Sequence, residues 1–274
     1  MFLYIWWVKR GLVIVLILFS ANVYSQPPGE WMWIHGDSTG SSSGNFGVKG
    51  VTSPTNAPPG LYSAAEWKDL SGNFWLFGGQ GHPSGYTIYS ALWKYEPAIN
   101  QWTWINGPDT SDAPGHYGVQ GVPDSANYPR ARMFHSVSWI DLEGNLWLYG
   151  GYSSSLALLF SDLWKYDIAT NQWTWVKGDS LGNQSPVYGI QGIPDINNTP
   201  GSRAEIGSGW TDDAGDLWLF GGNAYSSSRN DLWRYNITSN MWTWMKGSNL
   251  AYQPGVYGIQ GDRKSTRLNS SHRT

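Results

Sequence analysis

The stretch Gly144–Val176, GNLWLYGGYSSSLALLFSDLWKYDIATNQWTWV, decides how the rest of the chain is read. A hydrophobic run closes on Gly150 and Gly151, a variable segment follows, and the short runs LWKY and WTWV flank the polar turn DIATNQ. The copy before it carries GNFWLFGG, LWKY and WTWI, and the copy after it carries GDLWLFGG, LWRY and WTWM. The tryptophans keep the same register: Trp67, Trp75, Trp93, Trp102 and Trp104; then Trp139, Trp147, Trp164, Trp173 and Trp175; then Trp210, Trp218, Trp233, Trp242 and Trp244. Corresponding positions lie 69 to 72 residues apart, and self-similarity at a fixed period marks a repeat architecture.

Each copy reads as four short strands. In the middle copy, strand a spans about Met133 to Ile140, b Leu146 to Tyr149, c Leu163 to Tyr166 and d Trp173 to Val176. Trp173 and Trp175 share one face of strand d while Thr174 points to the other, as period-two alternation requires. Strands a and b are joined by DLEGN, DLSGN or DDAGD, whose glycine suits a tight hairpin. Tryptophans placed identically in every copy read as core, each able to bury on the order of 150–250 Å². The recurring aromatic-glycine segments Tyr117–Gly121, Tyr188–Gly192 and Tyr257–Gly261, with NFGVKG as a weaker first copy, read as a structural clasp.

The Gly-Gly pair ending strand b, the aromatic in LWKY and the Trp opening strand d resemble the kelch repeat, and the resemblance covers Trp31 to Gly261. It implies a β-propeller in which each repeat is one four-stranded blade. The expected fold is therefore all-β: a kelch-type open arc of three four-stranded blades, at about residues 60–105, 130–176 and 202–245, plus an orphan outer strand at Trp31–Ile34 that would close a missing blade. The period exceeds the roughly 50 residues of a kelch repeat, and long connections such as KGDSLGNQSPVYGIQGIPDINNTPGSR account for the difference. This extended form resembles secreted bacterial kelch proteins of the galactose-oxidase-like type. Propellers typically hold four to eight blades, so the expectation is the amino-terminal part of a longer protein whose remaining carboxyl-terminal blades complete the ring.

Both ends differ from the repeats. Lys9 and Arg10 precede the apolar run Gly11–Phe19, and Val23 and Ser25 are small residues at the offsets for cleavage before Gln26. Residues 1–25 thus read as a signal peptide, too short in its apolar run to span a bilayer, and the mature chain as secreted or cell-surface, without membrane insertion. The tail DRKSTRLNSSHRT, residues 262–274, resembles a translated sequencing adapter and is expected to be non-native. Setting aside leader and tail leaves 11 basic against 19 acidic side chains, a net charge of −8. Such a chain lacks the basic footprint of a nucleic-acid binder. Without cysteine, it has neither disulfides nor thiolate metal sites.

A four-stranded meander puts the b–c loops and d–a connections on one face. There the loops vary in length, with 13, 12 and 10 residues from the second Gly to the Leu of strand c. Loops on a rigid scaffold carry most binding residues. The candidate ligand-binding residues on that face are Tyr86, Tyr89, Tyr152, Phe160 and Tyr225 from the b–c loops, with Arg132 and Arg203 at matching positions ahead of strand a. Exposed aromatics with arginine suit a glycan or a polypeptide.

Catalytic constellations are sparse. The copper oxidases that the resemblance brings in use a tyrosine cross-linked to cysteine, which this stretch cannot form. No histidines are spaced as a metal site, and no cofactor is expected. His135 reads as structural. Glu66 and Glu205, on strands a of the first and third copies, could supply paired carboxylates for a glycosidase or lyase. TDDAGDLW, Thr211–Trp218, fits the Asp-box pattern, although a simple hairpin accounts for it. The sequons at Asn183, Asn197 and Asn236 are at chance level. The sequence therefore points to a non-catalytic binding module for a protein or glycan. A carbohydrate-active enzyme with its site in the channel, and a structural module of a larger surface protein, are the alternatives.

Overall fold

The computed structural model describes residues 5–8, 11–14, 31–38, 40–81, 87–205, 208–224 and 227–257. The chain divides into two units, Met1–His35 and Gly36–Thr274. In the first, Ile5–Val8 and Gly11–Ile14 pair as an antiparallel hairpin. The expected cleavage point after Ser25 and the tail 262–274 lie outside the described residues. Trp31–Ile34 is exposed and carries no strand. An outer strand there would need a ladder partner, which on the expectation above a missing blade would supply.

The second unit is built from three four-stranded antiparallel sheets. Sheet one is Ala65–Lys68, Phe74–Phe77, Leu92–Glu96 and Gln101–Asn106; sheet two is Val137–Ile140, Leu146–Tyr149, Leu163–Asp167 and Gln172–Lys177. Sheet three is Ser208–Thr211, Leu217–Ala224, Ser227–Asn236 and Met241–Lys246. Each runs a-b-c-d in sequence order. The a strands of adjacent sheets touch, so strand a is the inner edge and strand d the outer.

Strand a of sheet two starts at Val137 rather than Met133. Phe134 and His135 adopt left-handed backbone conformations, φ 59° and 47°, which a β ladder cannot include. In sheet three, strands b and c continue past the Gly pair to Ala224 and from Ser227, through a bulge at Phe220/Gly222. Its b–c segment is the shortest of the three.

Sheets pack through two complementary faces. Ala65, Trp67, Trp75 and Phe77 of sheet one meet Leu146, Leu148, Trp164, Tyr166 and Trp173 of sheet two. Val137, Trp139, Trp147 and Tyr149 of sheet two meet Leu217, Leu219, Trp233, Tyr235 and Trp242 of sheet three in the same way. We call the first set the trailing face of a sheet and the second its leading face. Polar groups follow the same rule: Trp67 Nε1 donates to the Trp147 carbonyl at 3.0 Å and Trp139 Nε1 to the Trp218 carbonyl at 2.8 Å. In return Ser138 Oγ donates to the Glu66 carbonyl and Thr211 Oγ1 to the Ile140 carbonyl.

The a–b turns are alike in all three sheets. Asp69, Asp141 and Asp212 each accept the indole N–H of Trp75, Trp147 and Trp218 at 2.7–2.8 Å. The Asp-box text of the third turn thus does what the other two turns do.

The long connections explain the 71-residue period. Gly50, Gly121 and Gly192 donate to the carbonyls of Trp104, Trp175 and Trp244. Asn56, Asn127 and Asn198 donate through Nδ2 to the carbonyls of Trp102, Trp173 and Trp242. Each connection therefore clasps the outer strand of the sheet that follows it, covering an edge that would otherwise present unpaired backbone groups. A Cβ on Gly118 would sit 2.4 Å from Asn127 Oδ1, so only glycine fits beneath that amide. The connections consequently do not lie wholly on the b–c loop face; only their last residues reach it.

Candidate functional site

The two matched arginines are interior residues. Arg132 Nη1 and Nη2 donate to Asp162 Oδ1 and Oδ2 at 2.8 and 2.7 Å, and Nη1 also donates to the Gly150 carbonyl. Tyr117 Oη and Trp164 Nε1 donate to the same carboxylate, at 2.7 and 2.8 Å, and Phe160 covers the guanidinium 4.5 Å from its ring centre. Arg203, Asp231, Tyr188 and Trp233 repeat this arrangement in sheet three. Arg132, Arg203, Phe160 and Tyr89 are all buried. The expectation that they contact ligand is corrected: a buried guanidinium needs a charge partner and hydrogen bonds, and both arginines have a buried aspartate and the first carbonyl of a Gly-Gly pair for their terminal nitrogens, although the Arg203 Nε is left without an acceptor among the described residues. Tyr86 and Tyr225 lie outside the described residues. Of the expected set, half-buried Tyr152 remains available.

The first repeat reveals what holds this unit together. Where the others have Tyr117 and Tyr188, it has Phe46; where they have Asp162 and Asp231, it has Ala91; and Pro58–Ala65 contains no arginine. Tyrosine, arginine and aspartate are lost together, as members of one buried network must be.

Burial alone would raise the Asp162 carboxyl. Arg132 and the hydrogen bonds from Arg132, Trp164 and Tyr117 outweigh it and hold the acid below its usual range. Asp231 is lowered likewise against burial, by Arg203, Trp233 and Tyr188. Burial and the adjacent Asp231 push the Tyr188 hydroxyl up to about 12. A carboxylate with a depressed folded-state pKa contributes stability that is present above its unfolded value, about 4, and is lost as pH falls through the folded value. The urea midpoint should therefore hold from pH 7 to about 5 and decline below about 4. A midpoint still level at pH 3 would contradict this assignment.

What the loop face does present gathers at the inner ends of the a strands. Tyr62 and Phe134 occupy the same register position ahead of strand a, and Glu205 is the third member of that set. Tyr62, 61% exposed, meets Phe134 edge-on at 6.4 Å, and Phe134 stacks on Tyr152 at 5.6 Å and 14°. Glu205 N donates to the Phe134 carbonyl at 2.8 Å, and Glu205 Oε2 accepts from Asn223 Nδ2 at 3.2 Å. His135 N donates to Ser63 Oγ at 3.1 Å. Ser63, Phe134, His135 and Glu205 all have left-handed backbones, φ 47–61°. Non-glycine residues rarely adopt this conformation, and where they do they cluster at functional positions. Below this rim lies a cavity of about 430 Å³ lined by Ser63, Glu66, Leu76, His135, Ser138 and Gly209 among others.

The Gly-Gly pairs build this mouth. Gly79 N donates to the Arg132 carbonyl and Gly151 N to the Arg203 carbonyl, each lacing the end of strand b to the approach of the next sheet's strand a. A Cβ on Gly78 would lie 2.7 Å from the Arg132 oxygen. Glu66 lines the cavity, whereas Glu205 is not among its lining residues and is held by Asn223. Among the described residues no group of three His, Cys, Asp or Glu could hold a metal ion.

A kelch-motif family model matches residues 134–180, the whole of sheet two. No curated protein matches the chain. The solved structure described as "Structure of YjhT" is similar over 70% of this chain and 54% of that one, at 16% identity and a TM-score of 0.44. The chain thus spans about half the length of that protein. With a kelch motif over one complete sheet and three four-stranded antiparallel sheets stacked face to face, the chain has the all-β fold of a kelch-type β-propeller.

Proposed function

We propose that the chain is a secreted or cell-surface binding module whose glycan or protein ligand sits at the mouth formed by Tyr62, Phe134, Tyr152 and Glu205. The observation that carries this reading is the aromatic run from Tyr152 through Phe134 to exposed Tyr62, with Glu205 bonded to the Phe134 carbonyl and both Phe134 and Glu205 held in a rare backbone conformation. Aromatic rings offer a flat apolar surface with fixed geometry, suited to the apolar face of a sugar or to a side chain. Charge narrows the ligand. With Arg132 and Arg203 neutralised in the interior, the acids near the mouth among the described residues are Glu66, which lines the cavity with His135, and Glu205. A neutral or cationic ligand is favoured over an anionic one.

Titration calorimetry against neutral, amino and acidic oligosaccharides and against peptides tests this. Binding is expected for a neutral or cationic member, and Tyr62→Ala should weaken it about tenfold, equivalent to about 1.4 kcal/mol. Glu205→Gln should weaken it less for a neutral ligand than for a cationic one. Binding that ignores both substitutions would remove the ligand from this mouth.

A carbohydrate-active enzyme is the second reading. Glu66 and His135 line the same cavity, and a carboxylate beside an imidazole can share acid and base roles. Activity on a glycan that is abolished by Glu66→Gln, with binding retained, would favour it over the binding module.

A further inference from the structure

Sheet two carries another cavity, on the outer part of its trailing face, that shares no residue with the mouth or the cavity below it. It measures about 390 Å³ and lies between strands c and d of sheet two, the clasp that covers them and the c–d turn of sheet three. Small-molecule sites have volumes of about 300–1,000 Å³. Its polar groups form a block of four on paired strands, with Lys165 opposite Thr174 and Asp167 opposite Gln172.

In the other repeats the cation of this block is paired. Lys94, the counterpart of Lys165, meets Glu96 at 3.1 Å, and Arg234 meets Asp216 at 3.5 Å. The Thr103 hydroxyl, counterpart of Thr174, meets that of Thr52 at 2.8 Å. Four positions differ together in sheet two. Where the first repeat has Glu96, it has Asp167, one methylene shorter, whose Oδ1 accepts the amides of Ala169 and Thr170 at 2.9 and 3.0 Å instead. Where the first repeat has Thr52, Ile99 and Ile105, it has Pro123, Thr170 and Val176. Each change takes a partner, a methylene or an apolar side chain away from the same place. Among the described residues Lys165 has no ion pair, and neither Lys165 nor the Thr174 hydroxyl has a hydrogen bond.

We propose that this cavity is a second ligand site, for a small acid that also carries hydroxyl groups: a sugar acid such as a hexuronate, free or as part of a chain. A half-buried ammonium without a counter-charge favours a ligand that brings one. Lys165 Nζ donates to the ligand carboxylate, with the Thr174 hydroxyl beside it. Asp167 Oδ2, which accepts no hydrogen bond among the described residues, takes ligand hydroxyls, and the Gln172 amide can both donate and accept. Val176 and Ile237 supply apolar surface for the ring C–H groups. One lysine and one aspartate leave the block near neutrality, so a single acid group is favoured over a polyanion. A neighbouring cavity of about 450 Å³ shares Val176 and Asn240 with this one, which gives a chain attached to the acid a path along strand d. The mouth, with its acids, selects a different molecule.

Titration calorimetry of the chain with sodium glucuronate, at low ionic strength and with glucose as the uncharged counterpart, tests this. Glucuronate should bind about tenfold or more tighter than glucose. Lys165→Met should weaken it by at least about the same factor, whereas Tyr62→Ala should leave it unchanged. A second variant removes no charge: Pro123→Thr with Asp167→Glu installs pairings that sheet one already contains, giving Thr174 and Lys165 partners within the chain. It too should weaken glucuronate, with an unchanged far-UV circular dichroism spectrum. A glucuronate-terminated oligosaccharide that binds more tightly than the free acid identifies the chain as the source of the ligand, and equal affinity identifies the free acid. Glucuronate that binds no better than glucose, acetate or alanine, or that binds equally well to both variants, overturns the proposal.

Discussion

Arg132→Leu is expected to destabilise the chain by about 3–5 kcal/mol, measured by urea denaturation followed by far-UV circular dichroism. The substitution leaves the Asp162 carboxylate fully buried, with hydrogen bonds from Tyr117 and Trp164 but no opposing charge. The loss comes from that stranded charge more than from the pair's own attraction, since forming the pair also required both groups to be desolvated. The first repeat shows how the site can do without it. The triple variant Tyr117→Phe, Arg132→Leu, Asp162→Ala installs an apolar set like that around Phe46 and Ala91. It should recover most of the loss, with a remainder of about 1 kcal/mol for the Trp164 indole left without an acceptor. A triple variant no more stable than Arg132→Leu alone would show that the arginine acts through something other than the Asp162 charge.

Trp173→Ala should cost a similar amount, about 3–5 kcal/mol. Trp173 is buried in the interface of sheets one and two, with Phe77 edge-on at 5.5 Å, Tyr166 at 5.1 Å and Trp164 perpendicular at 6.2 Å. These neighbours are themselves fixed: Phe77 and Tyr166 sit on paired strands, and the Trp164 indole is tied to Asp162. Little can collapse into the space an indole leaves, so the cavity cost adds to the lost burial. The same denaturation assay checks it, and a change below about 1 kcal/mol would mean that the interface is not the close-packed layer described.

Much of the architecture was legible from Gly144–Val176. Strand b was placed to the residue, and c and d to within one residue at either end, because their tryptophans alternate and their turns are polar. Strand a was drawn too long, since Met133–Ile140 reads as one apolar run and a left-handed backbone at Phe134 and His135 has no signature in residue type. The arginines were misread for a more instructive reason. Arg132 and Arg203 recur at matching positions, the same regularity that marks the tryptophans as structural, and their joint absence with Asp and Tyr from the first repeat is a signal of a buried network.

Of the proposed mouth, the sequence singles out Tyr152 and Glu205 but neither Tyr62 nor Phe134. Tyr62, Phe134 and Glu205 share one register position but differ in chemistry, so they left no repeat signature. In a chain of near-copies, positions that keep their residue serve the scaffold. Positions that keep their place in the register and change their residue are free to serve a ligand. The clasps lie between these cases: their recurrence in sequence announces a structural role, while their destination, the outer strand of the following sheet, requires hydrogen bonds between residues 44 to 46 apart.

The mouth itself is tested most directly by hydrogen–deuterium exchange with and without the oligosaccharide or peptide that binds best in titration. Protection is expected in peptides spanning residues 61–64, 133–136, 152–153 and 204–205, with the a–b and c–d turns unchanged. Protection centred on those turns or on the outer clasps, with none at Tyr62 and Phe134, would contradict the assignment of the ligand to this face.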